Sequence, residues 1–215
     1  MPSKYVVREY EENAYYHVFN RGVEKRKIFL DEKDYKIFIY YLFIYLYPLE
    51  RVLTKYPRLP IRLHNKNLSK EAALVSYCLM PNHFHLLLKQ TTKSGISKFL
   101  KQITNAYTEY FNKKYVRSGS LMQGPFKAVR IKNDEQLIHI TRYIHLNPYV
   151  AGLTEDLDSY QWSSYKDFIF KSDETFCETT VITDFFPSRT EYKKFIHDHA
   201  DYAGGLKKID NLIID

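Results

Sequence analysis

The stretch ALVSYCLMPNHFHLLLK, residues 73–89, decides the fold predicted for this chain. Its two apolar runs, Ala73–Met80 and His83–Lys89, have the length and the side chains of buried β-strands. The dipeptide Pro81-Asn82 between them is a turn signal. The stretch therefore predicts a β-hairpin, to which the flanking elements can be added.

The segment before the hairpin predicts one strand, one helix and one irregular region. Tyr15–Asn20 (YYHVFN) has the composition of a strand. Asp31 can cap a helix that continues to about Tyr47 and is stopped by Pro48. Residues 48–72 contain three prolines and scattered charges, which favours a loop or an insertion.

The segment after the hairpin continues the alternation of helix and strand. Apolar residues spaced by three and four predict an amphipathic helix over Ser94–Tyr115. Phe126–Ile131 alternates like a strand, and Asn133 caps a helix that reaches about Leu146 and is closed by Asn147-Pro148. This order favours an α+β fold in which helices cover one face of a mostly antiparallel sheet.

Length, composition and charge set the class of protein. The chain has 215 residues, of which 45% are hydrophobic and 27% charged, as in ordinary globular domains. Cys78 and Cys177 cannot form a disulfide framework, and the longest apolar run, Ile37–Tyr47, has 11 residues, too few to span a bilayer. The first residues lack the apolar stretch of a signal peptide. We therefore expect a cytoplasmic protein with no membrane partner.

The charge is unevenly distributed along the chain. Residues 1–150 contain 25 Lys and Arg against 12 Asp and Glu, whereas residues 151–215 contain 7 against 13. A basic segment of this kind is typical of proteins that bind nucleic acid, although a solvated lysine-rich surface gives the same count. We expect one domain over residues 1–168 and an acidic, mostly helical extension over 169–215, with helical patterns near Ser163–Phe170 and Thr190–Tyr202.

His83 and His85 are the first candidates for chemistry. Residues i and i+2 of a strand point to the same face, so the two imidazoles stand side by side while Phe84 points the other way. A divalent metal is the usual reason for two adjacent imidazoles, and a pair of hydrogen-bonded histidines on a half-exposed sheet is the alternative.

The helix that begins after Asn133 carries the second candidate. Its apolar stripe, Leu137, Ile140 and Ile144, is expected to pack inward. His139, Tyr143 and Asn147 follow one another at intervals of four and share the flanking face, which places Tyr143 beside the core and one turn from a carboxamide. Tyr107 and Tyr110 compete as nucleophiles, but both lie on the apolar stripe of their own helix, so packing accounts for them.

Several motifs in order resemble the single-tyrosine HUH transposases, and most closely the REP-associated tyrosine transposases. They cover about residues 10–168 and are YHVFNRG (16–22), PNHFHLLL (81–88), RSGSLMQGPFKA (117–128), RYIHLNPYVAGL (142–153) and WSSY (162–165). Pro125 stands where relatives tend to have a basic residue. The resemblance implies a ferredoxin-like α+β fold and metal-dependent DNA strand transfer.

The resemblance also implies roles for individual residues. His83, His85 and Asn147 match the ligands of a divalent cation, Mg²⁺ or Mn²⁺, and Tyr143 matches the nucleophile that forms a 5′-phosphotyrosine. The substrate is expected to be single-stranded DNA that bears a hairpin, with no nucleotide cofactor. A homodimer is compatible with the resemblance, since some relatives build one site from two subunits. Candidate contacts to the DNA backbone are Arg21, Lys25, Arg26, Lys27, Lys113, Lys114 and Arg117.

Three other functions remain open from the sequence. The same fold could bind hairpin DNA without cutting it, in which case loss of Tyr143 would leave the activity intact. A replication or mobilisation nickase shares the histidine pair, but the order of the other motifs argues against it. A structural zinc protein is disfavoured, because two histidines without suitably spaced cysteines do not close a tetrahedral site.

Overall fold

The structure, a computed structural model, describes residues 10–170 and 175–198. Its strands and helices follow the predicted order along the chain. Their bounds are β1 Tyr15–Arg21, α1 Glu32–Leu46, α2 Leu49–Lys55, α3 Ile61–His64, β2 Ala72–Met80, β3 His83–Gln90, α4 Gly95–Lys114, β4 Lys127–Arg130, α5 Asp134–Val150, α6 Tyr165–Ile169, α7 Thr180–Thr183 and α8 Arg189–His197.

The four strands form one antiparallel sheet in the order β2-β3-β1-β4. The predicted hairpin is present, because the turn at Pro81-Asn82 joins β2 to β3. The chain then places β1 between β3 and β4, which is the ferredoxin-like arrangement of two βαβ units with α1 and α4 as crossovers. The predicted α+β fold class is confirmed.

One face of the sheet is covered by α1 and α4. Alternate strand residues such as Val18, Phe84 and Leu86 point to this side and pack against Phe38 of α1 and Phe99 of α4. All five side chains are fully buried. Asp31 begins α1 with a reciprocal capping box, in which its side chain and that of Asp34 each accept from the other's backbone N–H.

The opposite face is covered by α5 and by the helices near the C-terminus. Leu87 of β3 packs there in one cluster with Ile140 and Ile144 of α5 and with Tyr192 and Ile196 of α8. The prediction that helices cover one face of the sheet holds for α1 and α4, but the other face is covered as well. Residues of the acidic extension contribute to the core of that second face. The domain boundary at residue 168 stays a prediction, as does the part of the predicted helix beyond residue 198, which lies outside the described residues.

Two segments that contain proline differ from the prediction. Residues 48–72 contain the short helices α2 and α3 in place of a continuous loop, because Pro48 and Pro60 occupy their N-caps, where the missing N–H is not needed. The helix expected to close at Asn147-Pro148 continues to Val150. Pro148 removes one hydrogen bond only, and Ala151 and Leu153 still donate to the carbonyls of Asn147 and Pro148.

Within residues 10–170 and 175–198, no helix is both long enough and apolar enough to cross a membrane.

Candidate functional site

Three histidines lie on the sheet face that α5 covers. His83 and His85 are the first and third residues of β3, and His17 is the third residue of the neighbouring strand β1. The ring centroids of His83 and His85 are 4.9 Å apart, and those of His17 and His85 are 5.1 Å apart. The predicted pair is thus part of a row of three imidazoles.

His85 is the central member of the row and is almost fully buried. Its Nδ1 lies 3.0 Å from Nε2 of His17, and its Nε2 lies 3.4 Å from the amide nitrogen of Asn147. Burial lowers the pKa of His85 well below its ordinary value of 6.5, and the neighbouring His83 and His17 add to that effect. The His85 imidazole is therefore neutral at pH 7.

His83 is more open than His85. It is half-buried at the start of β3, next to the hairpin turn, and its Nδ1 lies 2.6 Å from the side-chain oxygen of Asn82. Its ring stands at 89° to that of His85. The two histidines of the motif therefore differ in burial, with His85 in the interior and His83 nearer the surface.

Tyr143 packs against this row from α5. Its ring centroid lies 5.4 Å from that of His85 and 6.0 Å from that of His17, in both cases nearly edge-on. The ring is 6% exposed and belongs to the core cluster of this face, so the prediction that it lies beside the core was wrong. The predicted proximity of Tyr143, His85 and Asn147 is observed.

Local interactions of α5 hold Tyr143 in place. The Asn133 side chain caps the helix by accepting from the backbone N–H of Gln136. Two residues after Tyr143, the fully buried His145 makes hydrogen bonds to the hydroxyls of Tyr192 at 2.7 Å and Ser164 at 3.0 Å. The helix is thereby tied both to α8 and to the loop before α6.

His139, one turn before Tyr143, is also buried, with its ring centroid 5.7 Å from that of Phe195.

The competing tyrosines lie on the other face of the sheet. Tyr107 is fully buried, and its hydroxyl donates to the carbonyl of Ile28 at 2.6 Å. The Tyr110 hydroxyl donates to Asp34 at 3.0 Å, and burial raises the pKa of Tyr110 to about 12. Both rings belong with the apolar core around α1 and α4. The sheet therefore separates both tyrosines from the histidines.

Arg21 is the predicted DNA contact that lies nearest the histidines. It stands directly opposite His83 in the β1–β3 pairing, so both side chains leave the same face. Its Nε donates to the side-chain oxygen of Gln123 at 2.6 Å, which aligns the guanidinium with the loop before β4.

Lys25, Arg26 and Lys27 follow β1 in a loop that rests on the hairpin turn. Directly after this segment, the backbone N–H groups of Ile28 and Phe29 donate to the carbonyl of Pro81, and the Asn82 side chain donates to the carbonyl of Lys25. Lys25 and Lys27 are exposed, and Arg26 lies 3.7 Å from Glu24. These cations thus lie at the end of the sheet that carries His83.

The basic residues at the end of α4 differ from one another. Lys113 is exposed to solvent, whereas Lys114 makes ion pairs of 2.7 Å to both Asp31 and Asp34. Arg117 donates to the side-chain oxygen of Asn112 at 2.8 Å. The structure therefore places Lys114 in a contact between α4 and α1, apart from the more exposed cations.

Two residues of this face were not singled out from the sequence. His17 lies within the strand YYHVFN, where alternation with Tyr16 and Val18 was the available signal. Lys127 of β4 stands opposite Phe19, which in turn stands opposite His85, and its ammonium lies 5.9 Å from the Phe19 ring centroid. That His17 and Lys127 lie near His85 can be inferred only when the pairing register of β1, β3 and β4 is known.

A family model described as IS200-like transposase matches residues 50–147 of the chain. The match begins in α2 and ends at Asn147, so it contains both motif histidines and Tyr143. Residues 50–147, slightly less than half of the chain, are therefore similar to the IS200-like transposases. The resemblance to single-tyrosine transposases is confirmed, and DNA processing is the class of function that the family indicates.

Three solved structures were compared with the chain, and the first of them shares its fold. A REP-associated tyrosine transposase bound to a REP hairpin has a TM-score of 0.51 at 14% identity, covering 81% of this chain and 94% of that one. A transposase-like protein from Deinococcus radiodurans has a TM-score of 0.36 at 17% identity, covering 67% and 95%. A tRNA(His) guanylyltransferase from Saccharomyces cerevisiae has 0.38 at 10%, covering 100% and 83%. No curated protein matches the chain.

Proposed function

We propose that this chain is an HUH-type transposase that cuts and rejoins hairpin-bearing single-stranded DNA through a 5′-phosphotyrosine at Tyr143, with a divalent cation. The packing of the Tyr143 ring against His85, 5.4 Å between centroids, is the observation that supports this proposal most directly. The sheet keeps Tyr107 and Tyr110 on its other face, where their hydroxyls bind protein groups.

The residues at this site fit a divalent cation by their chemistry. Within the described residues, no three His, Cys, Asp or Glu side chains are gathered into a metal cluster, so the proposed set is two imidazoles and one amide. His85 is neutral, as a ligand must be, and its Nε2 faces Asn147. Asn147 would offer its amide oxygen after its side chain turns. Two nitrogens and one oxygen with open positions suit Mn²⁺ as well as Mg²⁺.

The proposed reaction is one displacement at phosphorus that is later reversed. The phenolic oxygen of Tyr143 attacks the scissile phosphate, the bond from phosphorus to the 3′ oxygen breaks, and that oxygen takes up a proton as a free 3′-hydroxyl. The phenolic proton passes to solvent. A cation at the site supplies neutralisation of charge on the non-bridging phosphate oxygens. Because a second 3′-hydroxyl can attack the phosphotyrosine, strands are joined without ATP.

The proposed DNA surface surrounds the end of the sheet that carries His83. Arg21 lies opposite His83, and the loop with Lys25 and Lys27 rests on the hairpin turn. Cations at these positions orient a phosphate backbone without reading its sequence. The structural relative was solved with a REP hairpin, which supports hairpin DNA as the substrate class. Tyr143 and the histidines meet within one chain, so the proposed site does not need a second subunit.

The deciding experiment is a search for a covalent protein–DNA adduct. The protein is incubated with labelled single-stranded hairpin DNA and Mn²⁺ or Mg²⁺, with EDTA as the control, and resolved on a denaturing gel. We expect a metal-dependent adduct that disappears in Tyr143→Phe and persists in Tyr110→Phe, the matched loss of one hydroxyl on the other face. An adduct that survives Tyr143→Phe would overturn the assignment. Hairpin binding without any adduct would favour the non-cutting module.

A further inference from the structure

His17 lies at the back of the proposed site, on the side of His85 that faces away from Asn147. It is fully buried in the middle of β1, where it stands opposite Leu87 and therefore diagonal to His85. The two rings are nearly parallel, with an angle of 16°, and their nitrogens are 3.0 Å apart. This contact is a hydrogen bond between two imidazoles inside the protein.

That hydrogen bond needs one proton, and its position decides what His85 can do. In the first arrangement, Nδ1–H of His85 donates to Nε2 of His17, and His85 Nε2 keeps a lone pair. In the second arrangement, Nε2–H of His17 donates to Nδ1 of His85, and the single proton of the neutral His85 ring is then on its Nε2. Only the first arrangement leaves His85 Nε2 able to bind a cation. The two arrangements are therefore not equivalent for the site.

The contact on the other side of His85 favours the first arrangement. The amide nitrogen of Asn147 approaches His85 Nε2 at 3.4 Å, and an amide nitrogen can only donate. A donor at that place is matched by a lone pair on Nε2, which requires the proton to be on Nδ1. In proteins generally, a histidine ligand donates its second ring N–H to a neighbouring acceptor, which fixes ring orientation and tautomer.

We propose that His17 is a positioning residue, which accepts the Nδ1–H of His85 and thereby holds the His85 Nε2 lone pair toward the divalent cation. The presence of a cation is taken from the proposed function. The hydrogen bond between His17 and His85 is taken from the observed geometry of β1 and β3. His17 itself does not touch the cation or the DNA. The proposal requires only that a hydrogen-bond acceptor for His85 Nδ1–H lies at the position of His17 Nε2. A different side chain that places an acceptor there should serve as well as the imidazole.

That requirement can be tested with three substitutions that differ in reach. In His17→Gln, the amide oxygen extends about as far as Nε2 of the histidine, so an acceptor is retained. In His17→Asn, the amide oxygen is too close to the backbone to reach His85. His17→Leu has no acceptor. Loss of such a partner lowers metal affinity by about 10- to 100-fold. We expect that loss in the Leu and Asn variants and Mn²⁺ affinity near that of wild type in the Gln variant, measured by electron paramagnetic resonance of free Mn²⁺.

A second readout tests the hydrogen bond without any metal. Long-range ¹H–¹⁵N spectra of the metal-free protein distinguish an imidazole protonated on Nδ1 from one protonated on Nε2. We expect His85 to carry its proton on Nδ1 in the wild type and in His17→Gln. His64→Leu, which removes an imidazole that instead contacts the carbonyl of Leu59, should leave both readouts unchanged.

The outcomes separate this proposal from the proposed function. A wild-type His85 protonated on Nε2 would overturn the role of His17, whether or not the variants fold. Equal Mn²⁺ affinity in the Leu, Asn and Gln variants would also overturn it. If the wild-type protein bound no Mn²⁺ while His85 was protonated on Nδ1, the function proposed for the cation would fail and the hydrogen bond from His85 to His17 would stand.

Discussion

The two faces of this sheet bury side chains of different kinds, although each is covered by a helix that carries tyrosines. Behind α1 and α4, strand residues such as Phe84 and Leu86 form an apolar core, and Tyr107 is held by the carbonyl of Ile28. On the face that α5 covers, His17 of β1 and His85 of β3 contact Tyr143. The strand that supplies Phe84 to one face supplies His85 to the other.

This difference shows that a tyrosine acquires a chemical role from what faces it. Tyr107 and Tyr143 are both buried, and both lie on long helices that pack on the sheet. Burial raises the pKa of Tyr107 well above its ordinary value of 10, and its hydroxyl is taken by a backbone carbonyl. Tyr143 packs instead on the edges of two imidazoles. The faces should therefore respond differently to substitution, one in stability and the other in chemistry.

The largest expected effect is on the apolar face. Phe84→Ala removes a fully buried ring that packs against Phe38, 5.2 Å between centroids. We expect the free energy of unfolding to fall by about 3–5 kcal/mol, because a large cavity replaces the ring. Denaturant unfolding measures this, and the Mn²⁺ affinity of the folded fraction should not change. A loss of Mn²⁺ affinity in folded Phe84→Ala would show that the faces are not separate.

The neighbouring substitution His83→Ala should have the opposite pattern. His83 is half-buried, so its loss should cost little stability. It removes a proposed ligand, and a cation contributes several kcal/mol to the transition state, so we expect adduct formation to slow by about 10²- to 10³-fold. Single-turnover rates with hairpin DNA measure the change. Asn82→Ala, which removes the partner of His83 Nδ1, is the milder control. An unchanged rate in His83→Ala would exclude this histidine as a ligand.

The sequence predicted the fold well because the deciding signals are local. The hairpin at Pro81-Asn82, the caps Asp31 and Asn133 and the period of the helices all act over a few residues, and all are present in the structure. His17 was missed because its partner is 68 positions away in the chain. A strand pattern gives the face of each residue, whereas the residue opposite depends on which strands are neighbours.

The same reasoning explains the error over Tyr143. Its helical face was inferred correctly, but its burial depends on β3 and on the cluster that α8 completes, which nothing in the spacing of α5 reveals. The proposed DNA contacts show a related limit. Lys113 and Lys114 are adjacent and identical in sequence terms, yet only the structure shows that Lys114 is engaged by Asp31 and Asp34.

The histidine face should also make stability depend on pH. Burial lowers the pKa of His145 to about 3, against an ordinary value of 6.5. Between these values the unfolded chain binds a proton that the folded chain does not. The free energy of unfolding is therefore undiminished above pH 6.5 and falls by about 1.4 kcal/mol per pH unit as the pH decreases toward 3. His85 contributes with the same sign, because its pKa is also lowered.

His145→Gln separates this contribution from the others. Glutamine can still meet the hydroxyls of Tyr192 and Ser164 but does not titrate. Denaturant unfolding between pH 7 and pH 4.5 should show a shallower decline in the variant than in the wild type. Equal slopes in wild type and His145→Gln would contradict the assignment.

The smallest expected effect concerns the two adjacent lysines at the end of α4. Lys113 is exposed and is a proposed phosphate contact, so Lys113→Met should weaken hairpin binding modestly and reduce the dependence of log K on log salt by about 1. Lys114→Met should leave that slope unchanged, because its ammonium is already paired with Asp31 and Asp34. It should instead lower the free energy of unfolding, since the fully buried Asp34 loses a partner.

Binding isotherms at several salt concentrations, combined with denaturant unfolding, distinguish the two variants. If Lys114→Met changed the salt slope and Lys113→Met did not, the DNA would have to displace Asp31 and Asp34, and the ion pair would then be part of the DNA surface.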